Sequence, residues 1–273
     1  MKRIYTILMI GIVLSFGLRA QAQCGAQNTA FQSGETLMYD LYFNWKFVWV
    51  KVGTAFMNVT ETTWKGRPAY RSYLATRGNK TADRLFVLRD TLTTYVDMNL
   101  VPLHFSKQSH EGKEVYSETV DYSYPQGRCR VDMRYDRQQT GTHRTKTYES
   151  TQCAFDMISM MLRARSFDPT GWKKGHRVRF MMATGRHCEP EYLEYRGKET
   201  FTVESTGARY RCLVFSAIEP QKNGKEREVV RFYVTDDKNH LPVRLDLNLT
   251  FGSAKAFFVS GKGIRNPQEA RIK

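Results

Sequence analysis

FQSGETLMYDLYFNWKFVWVKVGTAFMNV, residues 31–59, is the most aromatic stretch of the chain and decides the fold class. Apolar side chains at the odd positions from Leu37 to Phe43 alternate with a mixed set at the even positions. A period of two with one apolar face is typical of a half-buried β-strand. A second run rich in β-branched and aromatic residues, 47–52, follows after a short turn. The stretch therefore predicts a long β-hairpin, and Gly53 predicts a bulge or a close backbone approach.

The aromatic rings of this hairpin have two interpretations. Large rings are usually buried, because burial stabilises a fold by about 1.5–3 kcal/mol for each side chain. Hairpin tips that carry tryptophan also line pockets or contact membrane interfaces. Both alternatives stay open, and the candidate ligand-binding residues of the hairpin are Tyr39, Tyr42, Trp45, Phe47 and Trp49.

Residues 1–22 have the pattern of a cleavable export signal. Two basic residues precede an apolar run, and a small-x-small cleavage site ends at Ala22. The run is shorter than the roughly 20 residues of a membrane-spanning helix, and no later segment is long and apolar enough to span. We expect an exported protein that is periplasmic or outer-membrane-associated. Gln23 stands where lipoprotein signals place a small residue, which argues against lipidation of Cys24.

The charge of the chain restricts its partners. There are 42 Lys and Arg residues against 27 Asp and Glu, a formal net charge of +15. The basic residues are dispersed and form no long run, so we expect no nucleic-acid partner. A basic exported surface is either simply solvated or suited to lipid, glycolipid or an anionic envelope polymer, and envelope proteins are the other expected partners.

The five cysteines all follow the predicted signal: Cys24, Cys129, Cys153, Cys188 and Cys212. An odd number leaves at least one thiol without an intramolecular partner. If Cys24 is the odd one, the other four allow three pairings, and their spacing does not choose among them. Because no CxxC occurs, we predict neither a zinc site nor a redox centre, and no other cofactor. Buried reduced cysteine is the alternative to disulfides.

Short β-prone segments, separated by turn residues roughly every 8–12 positions, fill most of the remaining chain. This spacing predicts a mainly β fold, a long antiparallel meander that forms a curved sheet, barrel or half-barrel. We expect one domain over 23–265, or two β subdomains joined near 150–175, and a flexible tail over 266–273. Arg196-Gly197 is one of the predicted turns between strands.

Two segments break the β pattern. Residues 154–165, AFDMISMMLRAR, carry apolar side chains four positions apart, which predicts a helix capped by Asp156 or Gln152. A second, shorter helix is predicted at about 80–88. A methionine-rich helix is either core packing or an adaptable binding surface. The candidate ligand-binding residues on it are Met157, Met160 and Met161.

Several short motifs occur in order along the chain: GE-x-L-x-Y, G-x-A, RD followed by L-x-P, D-x-x-S followed by Arg, and a late DD and P-V hairpin. Together they resemble the bacterial domain-of-unknown-function family 3108. That resemblance implies an exported, β-rich envelope protein and says almost nothing about chemistry. It also implies that the motif residues matter, as turns and buried polar pairs or as a site: Gly34, Glu35, Tyr39, Gly53, Asp90, Pro102, Asp156, Arg163, Asp237 and Pro242.

The sequence contains no G-x-S-x-G elbow, P-loop, dinucleotide glycine pattern or H-E-x-x-H. We therefore expect a non-catalytic module that holds an apolar or amphipathic envelope ligand against a concave sheet, with the methionine helix over one opening. The first alternative is a structural or assembly factor that binds envelope proteins through a sheet edge. The second is an envelope hydrolase or glycan-modifying enzyme that uses His187, Glu189 and Asp236-Asp237.

Overall fold

A computed structural model describes residues 24–45, 48–84, 86–249 and 252–272. The predicted export signal and Phe47 lie outside these residues. Among the described residues are one α-helix, α1 (Met157–Ala164), and sixteen strands. The strands are β1 (Thr36–Trp45), β2 (Val48–Trp64), β3 (Arg67–Gly78), β4 (Leu88–Asp97), β5 (Pro102–Glu111), β6 (Glu114–Ser123), β7 (Cys129–Arg137), β8 (Thr142–Ser150), β9 (Ala154–Phe155), β10 (Arg177–Ala183), β11 (Cys188–Val203), β12 (Ala208–Pro220), β13 (Glu226–Thr235), β14 (Pro242–Leu249), β15 (Gly252–Lys262) and β16 (Arg271–Ile272).

The strands form one sheet built from two antiparallel meanders. In the first, β1 to β8 each pair with the next strand along the chain, and in the second β10 to β15 do the same. The two meanders join because β1 pairs antiparallel with β15. The short β9 runs parallel to β10, and β16 pairs with β12. The sheet is not closed, and the predicted long antiparallel meander is confirmed.

The first hairpin follows the predicted alternation. Along β2 the side chains of Ala55, Met57 and Val59 are buried, and the residues between them are more exposed. The register of β1 against β2 shifts between Leu41 and Tyr42, opposite Gly53. A Cβ atom at Gly53 would lie 2.2 Å from the backbone oxygen of Arg77 on β3. The predicted bulge and close approach are therefore both present, and only glycine fits the position.

The predicted methionine helix is present, and Asp156 is its N-cap. Its carboxylate accepts hydrogen bonds from two backbone N–H groups in the first turn. The other carboxylate oxygen accepts from the hydroxyl of Thr94, at 3.0 Å, and from that of Tyr122, at 3.4 Å. Asp156 is fully buried, and desolvation raises its pKa although these hydrogen bonds oppose the rise. One side chain thus begins the helix and ties it to β4 and β6.

Two hydrophobic clusters form the core. The larger one combines apolar side chains from both meanders with Ile158 and Leu162 of α1. The smaller one contains Met160 of the same helix and Phe215 of β12, and Trp172 packs against it. Helix α1 therefore contributes to both clusters and packs within the fold, as expected of an amphipathic segment with a wide apolar face.

Two local predictions differ from the structure. The segment predicted as a helix over 80–88 contains one turn of 3-10 helix, Ala82–Arg84, whose first N–H donates to the Asn79 side chain. The turn predicted at Arg196-Gly197 is instead a bulge inside β11, with Gly197 at a φ of +108°. Turns and bulges both favour glycine at a positive φ, so the residue type alone does not distinguish them.

A disulfide joins Cys24 to Cys153, and the thiols of Cys129, Cys188 and Cys212 are free and buried. Cys24 is therefore a paired cysteine, in contrast to the alternative in which it was the odd one. The guanidinium of Arg163 donates to the backbone carbonyl of Cys24. These contacts fix the segment before β1 to α1 and to the residues that precede it.

The described part of the segment 266–273 has hydrogen-bond partners in the rest of the fold. The backbone N–H of Asn266 donates to the side chain of Asn239, and the N–H of Ala270 donates to Asp237. Ala270 is buried, and β16 then pairs with β12. The tail is docked because its backbone groups find partners in the β13–β14 turn and along β12.

Candidate functional site

The clearest exposed feature is an apolar surface at one end of the sheet. We call it the tip patch and define it as Val48, Trp49, Val50 and Leu249. Their exposed fractions are 62%, 36%, 45% and 40%, respectively. Single exposed apolar residues are ordinary, but a group of them at one place marks an interaction surface.

The register of the sheet explains why these residues lie together. Leu249 ends β14 and lies opposite Gly252 on β15. Further along β15, Ala254 lies opposite Phe43 on β1. Phe43 in turn lies opposite Val50 on β2. A Cβ atom at Gly252 would lie 3.0 Å from the Phe43 ring, so the two hairpin tips are in contact. Four neighbouring strands thus end side by side and present the tip patch.

Two lysines border the tip patch. Tyr42 lies in register between Lys51 on β2 and Lys255 on β15, so all three share one face of the sheet. The Lys255 Nζ lies 4.0 Å from the centre of the Trp49 ring, a cation–π contact. The Lys51 Nζ lies 2.7 Å from a carboxylate oxygen of Asp40. By the same register Trp49 shares its face with the two lysines, whereas Val48, Val50 and Leu249 lie on the opposite face of the tip. Because Lys51 is paired with Asp40, the net positive charge beside the patch comes from Lys255.

The predicted aromatic residues occupy different environments. Trp49 belongs to the tip patch, and Tyr42 is half-buried against Phe257, with ring centres 5.4 Å apart. Tyr39 is buried against Phe258, and desolvation raises its pKa. Trp45 ends β1, but its side chain falls outside the described residues, as does Phe47. Of the predicted binding rings whose side chains the structure describes, Trp49 is the most exposed.

The three predicted methionines also have different surroundings. Met157 is 50% exposed at the start of α1. Met160 is buried in the smaller cluster, and Met161 packs against the larger one. The three methionines lie within about one helical turn of each other but have different environments, so they do not form one exposed surface.

A buried ion pair links several motif residues. The guanidinium of Arg165 donates to both carboxylate oxygens of Glu35, at 2.5 and 2.9 Å, and the two side chains are 2% and 1% exposed. The Arg165 Nε also donates to the backbone oxygen of Asn239, at 3.1 Å. Bidentate geometry of this kind is the strongest form of a carboxylate–guanidinium contact. The sequence does not indicate a role for Arg165, because Arg163 occupies the motif position and Arg165 stands two residues beyond it.

The remaining motif residues have structural partners. Asp237 accepts hydrogen bonds from the Thr235 hydroxyl and the Asn239 N–H, and Pro242 is buried at the start of β14. Gly34 has a φ of +90°, which favours glycine. Together with the Glu35–Arg165 pair, these residues hold the seam where β1, the end of α1 and the β13–β14 turn meet.

A second polar group lies on the inward side of β4, β5 and β6. The Ser109 hydroxyl contacts carboxylate oxygens of Asp90 and, at 2.8 Å, of Glu111. The Lys107 Nζ donates to Glu111 at 3.2 Å and to the Tyr116 hydroxyl at 2.7 Å. We call these five residues the inner polar cluster. Apart from Asp90, its members carried no recognisable signal in the sequence.

The directions of the pKa shifts in the inner polar cluster follow from its geometry. Desolvation raises the pKa of Asp90 in spite of its bond to Ser109 and the nearby Lys107. Desolvation acts in the same direction on Glu111, but Lys107 and the hydrogen bonds outweigh it and lower the pKa. The Ser109 hydroxyl has one proton, so it donates to Asp90 or to Glu111 but not to both at once. All five groups are partnered, which is typical of a satisfied structural network.

The candidate catalytic residues are not assembled into a reactive arrangement. His187 is exposed and contacts the Thr184 hydroxyl in its own turn. Asp236 forms an ion pair with Lys198 at 2.8 Å, and Asp237 is engaged in its turn. Within the residues that the structure describes, no three His, Cys, Asp or Glu side chains form a metal site.

The fold defines a β-barrel-like protein built from one open sheet of two antiparallel meanders. The family described as "Protein of unknown function (DUF3108)" matches residues 38–259, and the chain belongs to that family. A crystal structure of a β-barrel-like protein of the domain of unknown function DUF1849, from Brucella abortus, is similar to it with a TM-score of 0.58 and 12% identity. The similarity covers 87% of this chain and 100% of the other, and it concerns the fold alone.

No curated protein matches the chain. In the described residues, no helix has the length and apolar character needed to cross a membrane.

Proposed function

We propose that this protein is a non-catalytic binding module that attaches to an amphipathic surface, an anionic lipid bilayer, through the tip patch. The observation that carries the proposal is the exposure of Val48, Trp49, Val50 and Leu249 beside two lysines. Membrane-interface segments combine apolar side chains, tryptophan and flanking basic residues in this way.

The physical argument concerns the two parts of the patch. Apolar side chains that enter the boundary between head groups and acyl chains leave water, which is favourable. Lysines near an anionic surface contribute about 1 kcal/mol each, and this contribution falls as salt screens the charges. Lys255 is held over the Trp49 ring, so the charge and the ring approach the surface together.

The tip patch is a better contact surface than the concave side where the sequence predicted a ligand. The inward side chains of Leu92 and Val120 are buried, and α1 is tied to the same strands through Asp156. A ligand would have to displace this packing, whereas it would reach the tip patch without any rearrangement.

An oxidising location outside the cytoplasm belongs to the same proposal, in the periplasm or at the outer membrane. The support is the Cys24–Cys153 disulfide, because such bonds persist mainly in oxidising compartments. The basic composition is compatible with an anionic surface there.

Vesicle co-sedimentation tests the proposal. The mature chain is mixed with phosphatidylcholine vesicles and with vesicles that also contain phosphatidylglycerol. We expect binding to the anionic vesicles, weakened by salt, and a loss of about tenfold or more in Trp49→Ser/Val50→Ser, since two apolar side chains no longer enter the interface. The control is Met98→Ser, which removes an exposed apolar side chain elsewhere. Equal binding by both variants, or no binding to either vesicle, would refute it.

A further inference from the structure

Strand β8 is an edge of the sheet. It pairs with β7 over its length of 9 residues, from Thr142 opposite Arg137 to Ser150 opposite Cys129. Within the described residues it pairs with no other strand. An edge of this kind presents a row of unpaired backbone donors and acceptors, onto which another extended segment can add.

The charges on β8 differ from those on β7. The β7 arginines Arg130 and Arg134 are paired with carboxylates, and Arg130 also holds Glu149, the single acidic residue of β8. Arg144 and Lys146 are exposed, and neither has an ion-pair partner in the described part of the chain. They stand two positions apart, so their side chains share one face of β8.

This charge pattern discriminates between possible partners. A second copy of β8 would bring two further basic side chains to the edge, against glutamates already engaged by Arg130. Lysine and arginine on an edge strand are a common protection against such self-pairing. A strand with carboxylates at alternate positions would instead place opposite charges side by side, which stabilises a cross-strand pair.

We propose that the β8 edge binds, by strand addition, an extended acidic segment of another protein. The backbone edge provides the hydrogen bonds, and Arg144 and Lys146 provide the preference for carboxylates two positions apart. This surface is separate from the tip patch, and the proposal does not depend on membrane binding.

A labelled peptide measures the proposed interaction. The probe is a nine-residue peptide of Thr and Val with two Glu residues two positions apart, matched in length to β8. It is titrated with the full mature chain and followed by fluorescence anisotropy. We expect the acidic peptide to bind about tenfold more tightly than the same peptide with Lys in place of Glu.

Two variants locate the site. Arg144→Glu/Lys146→Glu should reverse the preference, so that the Lys peptide binds better than the Glu peptide. Lys222→Glu/Lys225→Glu, in the β12–β13 turn, changes the net charge by the same amount and should leave the preference unchanged. Equal effects of both variants would show general electrostatics and would overturn the proposal.

Two further measurements test strand addition itself and use only the unaltered protein. Backbone N-methylation of the acidic peptide keeps its charges and removes its hydrogen-bond donors, so it should abolish binding. Hydrogen exchange should slow for the β8 amides when the peptide is present. Unchanged binding of the methylated peptide, or slowed exchange elsewhere but not in β8, would contradict the inference.

Discussion

Removing one member of the Glu35–Arg165 pair should destabilise the protein more than almost any other single polar change. In Glu35→Gln the side chain keeps its shape but loses its charge, and Arg165 remains charged and 2% exposed. The uncompensated Arg165 charge is then buried without a carboxylate partner and out of reach of bulk water. Breaking a buried ion pair in this way costs about 3–5 kcal/mol.

The double change separates the loss of the pair from the loss of volume. Glu35→Leu/Arg165→Met replaces both charges by apolar side chains, so no charge is left buried. Its loss of unfolding free energy should be smaller than that of Glu35→Gln, since apolar replacement of a buried pair is often neutral. A remaining cost is expected because the Asn239 carbonyl loses the Arg165 Nε donor, and a lost hydrogen bond of this kind costs about 1 kcal/mol.

Urea unfolding of the oxidised protein, followed by circular dichroism and fluorescence, measures these free energies. The control is Asp132→Asn, which breaks the exposed pair with Arg130 and should change the free energy of unfolding only slightly. The reasoning would be refuted if Glu35→Gln lost less than about 1 kcal/mol at an unchanged m-value. It would also fail if the double variant were less stable than Glu35→Gln.

Other perturbations follow from the disulfide and from a raised pKa. Cys153→Ser opens a loop whose ends lie 129 residues apart, and it should cost about 5 kcal/mol by the chain-entropy relation, seen as a lower urea midpoint. Desolvation, together with the charges of Glu219 and Glu189, raises the pKa of Glu191 to about 7 from 4.5. The proton is therefore held more tightly in the folded state, so the stability it contributes is complete below pH 4.5 and is lost as the pH rises through 7. Glu191→Gln should thus be more stable than the unaltered protein at pH 8, by roughly 1–3 kcal/mol, and this difference should vanish near pH 4.

The local structure could be predicted because it depends on neighbouring residues. Alternation from Leu37 to Phe43 predicts β1, and the four-residue spacing after Asp156 predicts α1 and its cap. Gly53 predicts a bulge and a close approach, and both are present. These features need only the period of the side chains and the properties of single residue types.

The long-range pairs could not be predicted in the same way. The pairing of β1 with β15 joins segments more than 200 residues apart, and the sequence of neither strand identifies the other as its partner. The same is true of Cys24 with Cys153, which is one of several possible pairings of five cysteines. The sequence also does not distinguish Arg165 from Arg163, because both lie at the end of an amphipathic helix, where either could turn inward. Burial decides between them, and burial is a property of the assembled fold.

The residues that hold the frame together and those proposed to bind lie at opposite ends of the β1–β2 hairpin. Glu35 immediately precedes β1, and Trp49 follows after the far end of that strand. Ten residues at about 3.3 Å each separate them by roughly 30 Å. Changes that far apart, with no shared partner, should be additive in free energy. Trp49→Ser/Val50→Ser should therefore weaken vesicle binding at nearly unchanged stability, whereas Glu35→Gln should lower stability and leave the vesicle affinity of the folded fraction intact. If Glu35→Gln also weakened binding by the folded fraction, the tip patch and the seam would be coupled, and the separation of frame from binding surface would be wrong.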